Sequence, residues 1–224
     1  MLVFTEELGL LTVAARGARR PTSKLGALEP VHTLRLDIDV RRGKDVGTLR
    51  EARIETARLG LLSDGARLEG AFRALVWLRT VMQPLHPEPR VFREACALLD
   101  ALDIAAGTID GLLAPAGLRI LTALGYALDL DACVRCGVEC PESASSWVDA
   151  SLGGLVCRAC SSQVATKRGA RFLLKAPVRA AMRRAIRAPG DVSEIEDPVA
   201  LEVVEATFAA HAVATRPDQA SGRK

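Results

Sequence analysis

The sequence predicts an α+β fold in which an antiparallel sheet comes first and helices follow, with a four-cysteine metal motif inserted among the helices. Apolar and polar residues alternate in the first part of the chain, whereas apolar residues recur at helical spacing from Ser63 onwards. A period of two indicates strands, and a period near 3.6 indicates helices. Two C-x2-C pairs follow further along the chain. We expect a strand domain over residues 1–60 and a helical domain over residues 61–224, with the metal motif at residues 131–162.

The strands are predicted by alternation and by the turns between them. Residues 2–4 and 10–15 flank a Glu-Glu-Leu-Gly turn and predict a hairpin. Residues 34–41 alternate strictly, which predicts a half-buried strand, and residues 47–54 can return as the next one. Because few helices separate these strands, we expect a compact antiparallel sheet in the form of a small barrel.

Five helices are predicted after the strands. Apolar spacing predicts one that ends before Pro84, a second over residues 91–102 and a third that ends at Gly125. A fourth begins near Pro177, and a fifth begins near Pro198, where the preceding aspartate supplies the N-cap.

Two pairs of cysteines form the strongest chemical motif. Cys133 and Cys136 form one C-x2-C turn, Cys157 and Cys160 form the other, and twenty residues separate them. Two such turns, face to face, supply four sulfurs around a tetrahedral centre, which is the geometry of a structural zinc site. Gly137 follows the first turn, where a left-handed backbone is often required. The alternatives are four unrelated core thiols or two disulfides.

Cys140 complicates the choice of ligands because it lies only four residues after Cys136. We favour Cys136, since its pair with Cys133 mirrors the second C-x2-C turn. Cys140 is then a substitute ligand or a free thiol.

Positive charge is concentrated locally, although the net charge is only +3. Between Ala150 and Gly190 there are nine Lys or Arg residues and no Asp or Glu, and the loop over residues 16–24 carries four cations and no acid. Fields of a single sign attract phosphate backbones, although an ordinary solvated loop is the alternative. In the later run, three arginines spaced by four line one side of the helix after Pro177, and we favour an anion-binding surface there. They are Arg179, Arg183 and Arg187.

Several functional classes are not expected. The sequence contains no Gly-rich phosphate loop and no evident Ser/His/Asp or Cys/His arrangement, and four cysteine ligands close a metal to water, so we expect a binding protein and not an enzyme. No apolar run approaches the length of a membrane span, and acidic residues follow the start too soon for a signal peptide. We expect a cytoplasmic protein whose thiols stay reduced.

Five short segments carry a more specific signal than composition does. They are residues 4–9 (Phe-Thr-Glu-Glu-Leu-Gly), 15–20 (Ala-Arg-Gly-Ala-Arg-Arg), 47–52 (Gly-Thr-Leu-Arg-Glu-Ala), 124–133 (with Leu-Gly-Tyr before the first cysteine) and 153–157 (Gly-Gly-Leu-Val-Cys). Together with the order of the parts, they resemble the RecO family of DNA repair and recombination mediators over nearly the whole chain.

The resemblance implies an OB-fold-like barrel for the strand domain. The chain begins inside what corresponds to its second strand, so we expect the barrel to lack its first strand. It also implies that the protein binds single- and double-stranded DNA, anneals complementary strands and helps to load RecA in the RecF pathway. The implied partners are RecR and the acidic C-terminal tail of single-stranded DNA-binding protein (SSB), with no nucleotide cofactor and a nucleoid-associated location.

The residues suggest how such a protein would hold DNA. The strand domain has almost no aromatic residues beyond Phe4, so we expect contacts to phosphates, with steep salt dependence and weak sequence preference. The predicted contacts are Arg16, Arg19, Arg20, Lys24, Arg41, Arg42 and Lys44. The three arginines of the basic helix are the predicted site for the SSB tail. Two other hypotheses are a zinc-ribbon adaptor for protein partners and, less favoured, a thiol redox sensor that uses Cys140.

Overall fold

A computed structural model describes residues 1–15, 28, 30–40, 46–104, 107–162, 171–188 and 194–212, and the structural statements below concern these residues. The first strands and helices are β1 (Leu2–Thr5), β2 (Gly9–Ala14), β3 (Thr33–Asp39), β4 (Val46–Thr56), α1 (Leu59–Ser63), α2 (Gly65–Val81), α3 (Pro89–Asp103) and α4 (Ile109–Ala123). They are followed by β5 (Asp129–Cys133), β6 (Ser146–Asp149), β7 (Gly154–Val156), α5 (Arg158–Ser161), β8 (Arg171–Leu174), α6 (Ala176–Arg187) and α7 (Pro198–Ala210). The α+β class is therefore confirmed at the level of mixed sheets and helices.

The first sheet has the strand order β1-β2-β4-β3. The β1–β2 and β3–β4 pairs are antiparallel, as the sequence predicts. The β2–β4 pair is parallel, with Thr12 opposite Val46 and Ala14 opposite Thr48, so the prediction of a purely antiparallel sheet is wrong. A parallel pair requires a long crossover, and the connection through β3 supplies it.

Strands β1 and β3 form the two edges of this sheet, and among the described residues they do not pair with each other. A cleft of about 590 Å³ lies beside both edges and is lined on its other side by Leu78, Phe92 and Leu99 of the helices. The sheet is therefore open between β1 and β3 in the part of the chain that the structure describes. The OB-fold-like barrel stays a prediction.

Helix α4 is the centre of the helical layer. All residues from Gly111 to Leu121 are buried, so the helix has no polar face and its first half escapes a search for amphipathic spacing. Thr108 caps it by accepting a hydrogen bond from the Gly111 N–H at 3.1 Å. Gly117 permits close packing on α7, since a Cβ there would lie 2.4 Å from Cγ1 of Val204.

The Leu-Gly-Tyr segment ends α4. Gly125 has a φ of +82°, a left-handed conformation that glycine adopts without steric cost. The Tyr126 N–H donates to the Leu121 carbonyl at 2.8 Å, which closes the last turn. The Tyr126 ring stacks on His211 at 4.1 Å, so this segment joins the ends of α4 and α7.

A second sheet, of order β5-β7-β6-β8, lies within the predicted helical domain and is missing from the sequence prediction. Its strands have only three to five residues, too few to show a clear alternation. Val148, Leu155 and Leu174 of this sheet are fully buried in the main core. We call residues 129–162, which include three of these strands and all five later cysteines, the cysteine module.

Arg58 joins the strand domain to the helices. Its side chain is 2% exposed, and its guanidinium donates to the Val31 carbonyl at 2.9 Å, to Thr33 Oγ1 at 2.9 Å and to Asp100 Oδ1 at 2.8 Å. Because Asp100 lies on α3, one buried cation holds the start of β3 against the helical layer. None of the helices in the described parts of the chain combines the length and the apolarity needed to cross a membrane.

Candidate metal centre and nucleic-acid interface

The two cysteine turns are built by the ends of short strands. Strand β5 ends at Cys133, and the Gly137 N–H donates to the Cys133 carbonyl at 2.8 Å, which closes the first turn. Gly137 has a φ of +73°, so the predicted left-handed backbone is present. Strand β7 ends at Val156, and the next residue, Cys157, opens the second turn, where its N–H lies 3.3 Å from the Cys133 sulfur.

The four sulfurs form one compact group. The Sγ atoms of Cys133, Cys136, Cys157 and Cys160 all lie within 4.8 Å of one another, and those of Cys136 and Cys157 are 3.7 Å apart. A tetrahedral thiolate site with metal–sulfur bonds of about 2.3 Å has sulfur–sulfur distances of about 3.8 Å. A disulfide would require about 2.05 Å, and all these cysteines are free. The donor set therefore fits a closed four-thiolate site that can hold a metal ion.

Local electrostatics favour one thiolate in this group. Burial opposes ionisation of Cys133, but hydrogen bonds from the backbone N–H groups of Cys157, Arg135 and Cys136 outweigh it and lower its pKa to about 6. Hydrogen bonding to Cys157 and Cys136 holds the proton on Cys160 and raises its pKa to about 12. A bound dication would reverse this proton sharing, because it stabilises every thiolate around it.

Cys140 lies outside the four-sulfur group. Burial raises the pKa of its thiol, which opposes the thiolate needed for redox reactivity. The structure thus brings together the four cysteines favoured by spacing and gives Cys140 no role as a ligand.

Arg179 fixes the cysteine module to α6. It is 1% exposed, and its guanidinium donates to the carbonyls of Leu130 at 2.8 Å, Cys140 at 2.7 Å and Pro141 at 2.8 Å. A planar fork of donors suits this set of acceptors. The prediction that Arg179 receives an acidic partner is wrong, because its guanidinium is buried and donates to backbone carbonyls of the chain.

Arg183 and Arg187 lie on the same side of α6 as Arg179, one and two helical turns further along. Arg183 pairs with Asp131 at 2.6 Å and also with Glu142, and Arg187 pairs with Asp131 at 2.8 Å. The Arg183 hydrogen bond lowers the pKa of Glu142. The spacing by four predicts the common face correctly. The carboxylates that neutralise this face come from the cysteine module, so it is not a free anion-binding surface.

The remaining cations between Ala150 and Gly190 that the structure describes fall into two groups, those that pair with a carboxylate and those that form no ion pair with a described residue. Arg171 pairs with the buried Asp149 at 3.3 Å. In contrast, Arg158, Lys175 and Arg184 are exposed and form no ion pair with any described residue. Lys167 and Arg168 lie outside the described residues.

The predicted DNA contacts fall in two basic segments, residues 16–24 and 41–44, and all of them lie outside the described residues. Each segment follows a described strand, β2 or β3. Ala14, at the end of β2, is the sheet neighbour of Thr48, and Thr48 is also the neighbour of Asp39 at the end of β3. Adjacent strands are about 4.8 Å apart, so Ala14 and Asp39, which lie on either side of β4, are separated by roughly 10 Å.

The described cations on strands β3 and β4 are already paired. Ion pairs join Arg35 to Glu55, Arg50 to Asp39 and Arg53 to Glu51, at 3.2, 2.8 and 2.8 Å. All six side chains are at least one-third exposed, so these pairs contribute little stability but reduce the field of the strands.

Comparison with known sequences identifies the family to which this chain belongs. The family profile described as "Recombination protein O N terminal" matches residues 2–58, and "Recombination protein O C terminal" matches residues 62–198. The chain belongs to the RecO family. The N-terminal profile covers β1–β4 and both basic segments, and the C-terminal profile covers the cysteine module and α6.

Curated RecO proteins are similar to this chain over most of its length. Proteins named DNA repair protein RecO from Rubrobacter xylanophilus and Pelobacter propionicus are 30% and 32% identical over 161 and 160 residues. The RecO protein of Anaeromyxobacter sp. strain K is 33% identical over 168 residues. These matches cover 71%, 71% and 72% of this chain and 63% of each relative, so the chain spans less than two-thirds of the relatives' length.

Proposed function

We propose that this RecO-family chain is a mediator of DNA repair and homologous recombination in the RecF pathway. It binds single- and double-stranded DNA, anneals complementary single strands and, with RecR, assists RecA loading on SSB-covered DNA. It breaks no covalent bond. The observation that carries this proposal is the pair of consecutive family matches over residues 2–58 and 62–198, whose curated relatives are named DNA repair proteins.

The proposed DNA contact is made by the two basic segments, through phosphates. Supporting this, the strand ends that precede them, Ala14 and Asp39, both lie opposite Thr48 of β4 and so are only two strand spacings apart. The cations on strands β3 and β4 are held by carboxylates, which leaves this role to the two basic segments. Contacts to phosphates leave base edges uncovered, so two strands can pair while they are held.

The proposed metal is zinc, and its role is structural. Four thiolates fill a tetrahedral coordination sphere and leave no position for water. Residues 133–160 have short strands and one short helix, so the metal would supply folding energy to this module.

RecR and the acidic SSB tail are the proposed protein partners. Arg179 is removed from the proposed tail site, because it is buried. A tail that binds at Arg183 and Arg187 must compete with Asp131 and Glu142, whereas Arg184 has no ion pair among the described residues and is open to it. Charge reversal at Arg183 should weaken binding of a tail peptide, and unchanged affinity would remove this assignment.

Strand annealing by matched variants tests the proposal. In one variant, Arg16, Arg19, Arg20 and Lys24 are replaced by glutamine. In the control, Arg35 and Arg53, two paired cations of the same domain, are replaced by glutamine. The full zinc-loaded chain should anneal complementary oligonucleotides, with or without SSB, and the loop variant should lose at least tenfold in rate while the control stays close to the parent.

Unchanged annealing by the loop variant would contradict the proposed contact. An inactive parent chain at low salt would contradict DNA binding as the function, and the adaptor role in protein assembly would then be favoured.

A further inference from the structure

The two tryptophans of the chain differ in their exposure to solvent. Trp77 is 6% exposed and stacks on Phe208 at 4.9 Å inside the core, whereas Trp147 is 40% exposed on β6. A tryptophan on a sheet surface presents a large flat ring to solvent, and such a residue is enriched where a protein binds a partner.

The pairing of the second sheet places an apolar residue and a cation beside this ring. Trp147 is directly opposite Leu173 in the antiparallel β6–β8 pair, so both side chains share one face, and Leu173 is 48% exposed. Lys175, the N-cap residue of α6, follows Leu173 by two residues and keeps an extended backbone, so alternation directs it to that face as well. We call these three residues, Trp147, Leu173 and Lys175, the stacking face.

A second cation follows on the other side of β6. Trp147 is also opposite Val156, the last residue of β7, and Arg158 begins α5 two residues later in the sequence. Both Lys175 and Arg158 are exposed and have no ion pair among the described residues, while Arg171, Arg183 and Arg187 of the same basic run are paired with carboxylates. Lys175 and Arg158, two of the three available cations that the structure describes in this run, therefore each follow by two residues a strand position opposite the exposed aromatic ring.

We propose that the stacking face, together with Arg158, binds single-stranded DNA by stacking one base on Trp147 while Lys175 and Arg158 contact the flanking phosphates. An aromatic ring between cations binds single strands with little sequence preference, because every base has a π-face. In a duplex the base faces are already stacked, so this site would select unpaired strands. The inference rests on the proposed DNA binding and adds a contact that the basic segments of the strand domain do not supply.

Stacking is compatible with strand annealing. It occupies the face of a base and leaves its Watson–Crick edge free for the complementary strand. A strand held by phosphates at one domain and by a stacked base at the other would be extended between them, with its edges available for pairing.

Intrinsic fluorescence tests this proposal directly, because one tryptophan is exposed and the other is buried. Addition of a dT oligonucleotide to the full zinc-loaded chain should quench the Trp147 emission. The W147F variant retains an aromatic ring but only Trp77 emits, so the oligonucleotide should bind with nearly unchanged affinity and cause no quenching. The W147A variant should bind on the order of tenfold more weakly. An abasic oligonucleotide of the same length and charge should bind the parent and W147A equally.

The outcomes separate this inference from the proposed function. If the parent binds dT but its fluorescence does not change and W147A binds equally well, the stacking site is refuted and phosphate binding stands. If the parent does not bind dT at low salt, both fail. Quenching by an acidic peptide and not by the oligonucleotide would overturn the inference and assign the face to a protein partner. Thermal melting of W147A and W147F establishes that both variants are folded. The quenching of the parent chain's fluorescence is measured without any substitution, so it does not depend on the folding of a variant.

Discussion

Replacement of Arg179 by methionine tests how the cysteine module is held on α6. The substitution keeps an unbranched apolar stem but leaves the carbonyls of Leu130, Cys140 and Pro141 without their shared donor. Each buried acceptor that is left without a donor costs about 1–3 kcal/mol, so the loss of the donor to three carbonyls costs at least about 3 kcal/mol in total. For a chain of this size, such a loss lowers the melting temperature by roughly 10 °C.

The assay is thermal or urea unfolding of the zinc-loaded chain, followed by far-UV circular dichroism. The matched control is Arg184→Met, which removes an exposed cation from the same helix where the structure shows no ion pair with a described residue. Arg179→Lys should be intermediate, because lysine keeps the charge but has no planar fork. If Arg179→Met is as stable as Arg184→Met, the proposed attachment of the module is wrong.

Three further predictions follow from the contacts. Removal of the metal with a chelator should destabilise the cysteine module and release four titratable thiols, as measured by melting and by thiol labelling; an unchanged melt would contradict a structural metal. Arg58→Met should lower the free energy of unfolding by about 2–3 kcal/mol because Val31 and Thr33 lose a buried donor, whereas Arg79→Met, at an exposed site on α2, should have little effect. In the metal-free chain, the lowered pKa of Cys133 contributes stability that is fully present above its ordinary value of 9.0 and is lost as the pH falls through about 6. Urea titrations across this pH range should show that slope for the parent and a weaker one for Cys133→Ser.

The cysteine site could be predicted because its information is local. The C-x2-C spacing fixes each pair of thiols on one turn, and Gly137 supplies the left-handed residue that closes the first turn. The strand that alternation predicts over residues 34–41 and the N-cap before Pro198 are local in the same sense, and the structure has β3 at Thr33–Asp39 and the cap at Asp197.

The wrong sequence predictions concern contacts between residues that are far apart in the chain. The face formed by Arg183 and Arg187 follows from spacing, but the sequence does not show that Asp131 and Glu142 fold back onto it. The β2–β4 pair is parallel because of a long crossover, which alternation within each strand cannot reveal. The strands of the second sheet are too short to show alternation, so the sequence predicts neither this sheet nor the exposed position of Trp147.

The most direct test of the central claim is the affinity of the zinc-loaded chain for a dT oligonucleotide as a function of salt. Binding through phosphates predicts a straight line of log affinity against log salt, with a slope of about −0.7 for each phosphate neutralised on a single strand. Several contacts from the basic segments should therefore give a slope of roughly −3 or steeper. A chain that holds its full complement of zinc but does not bind the oligonucleotide in dilute buffer, or binds it with a nearly flat salt dependence, would contradict the account.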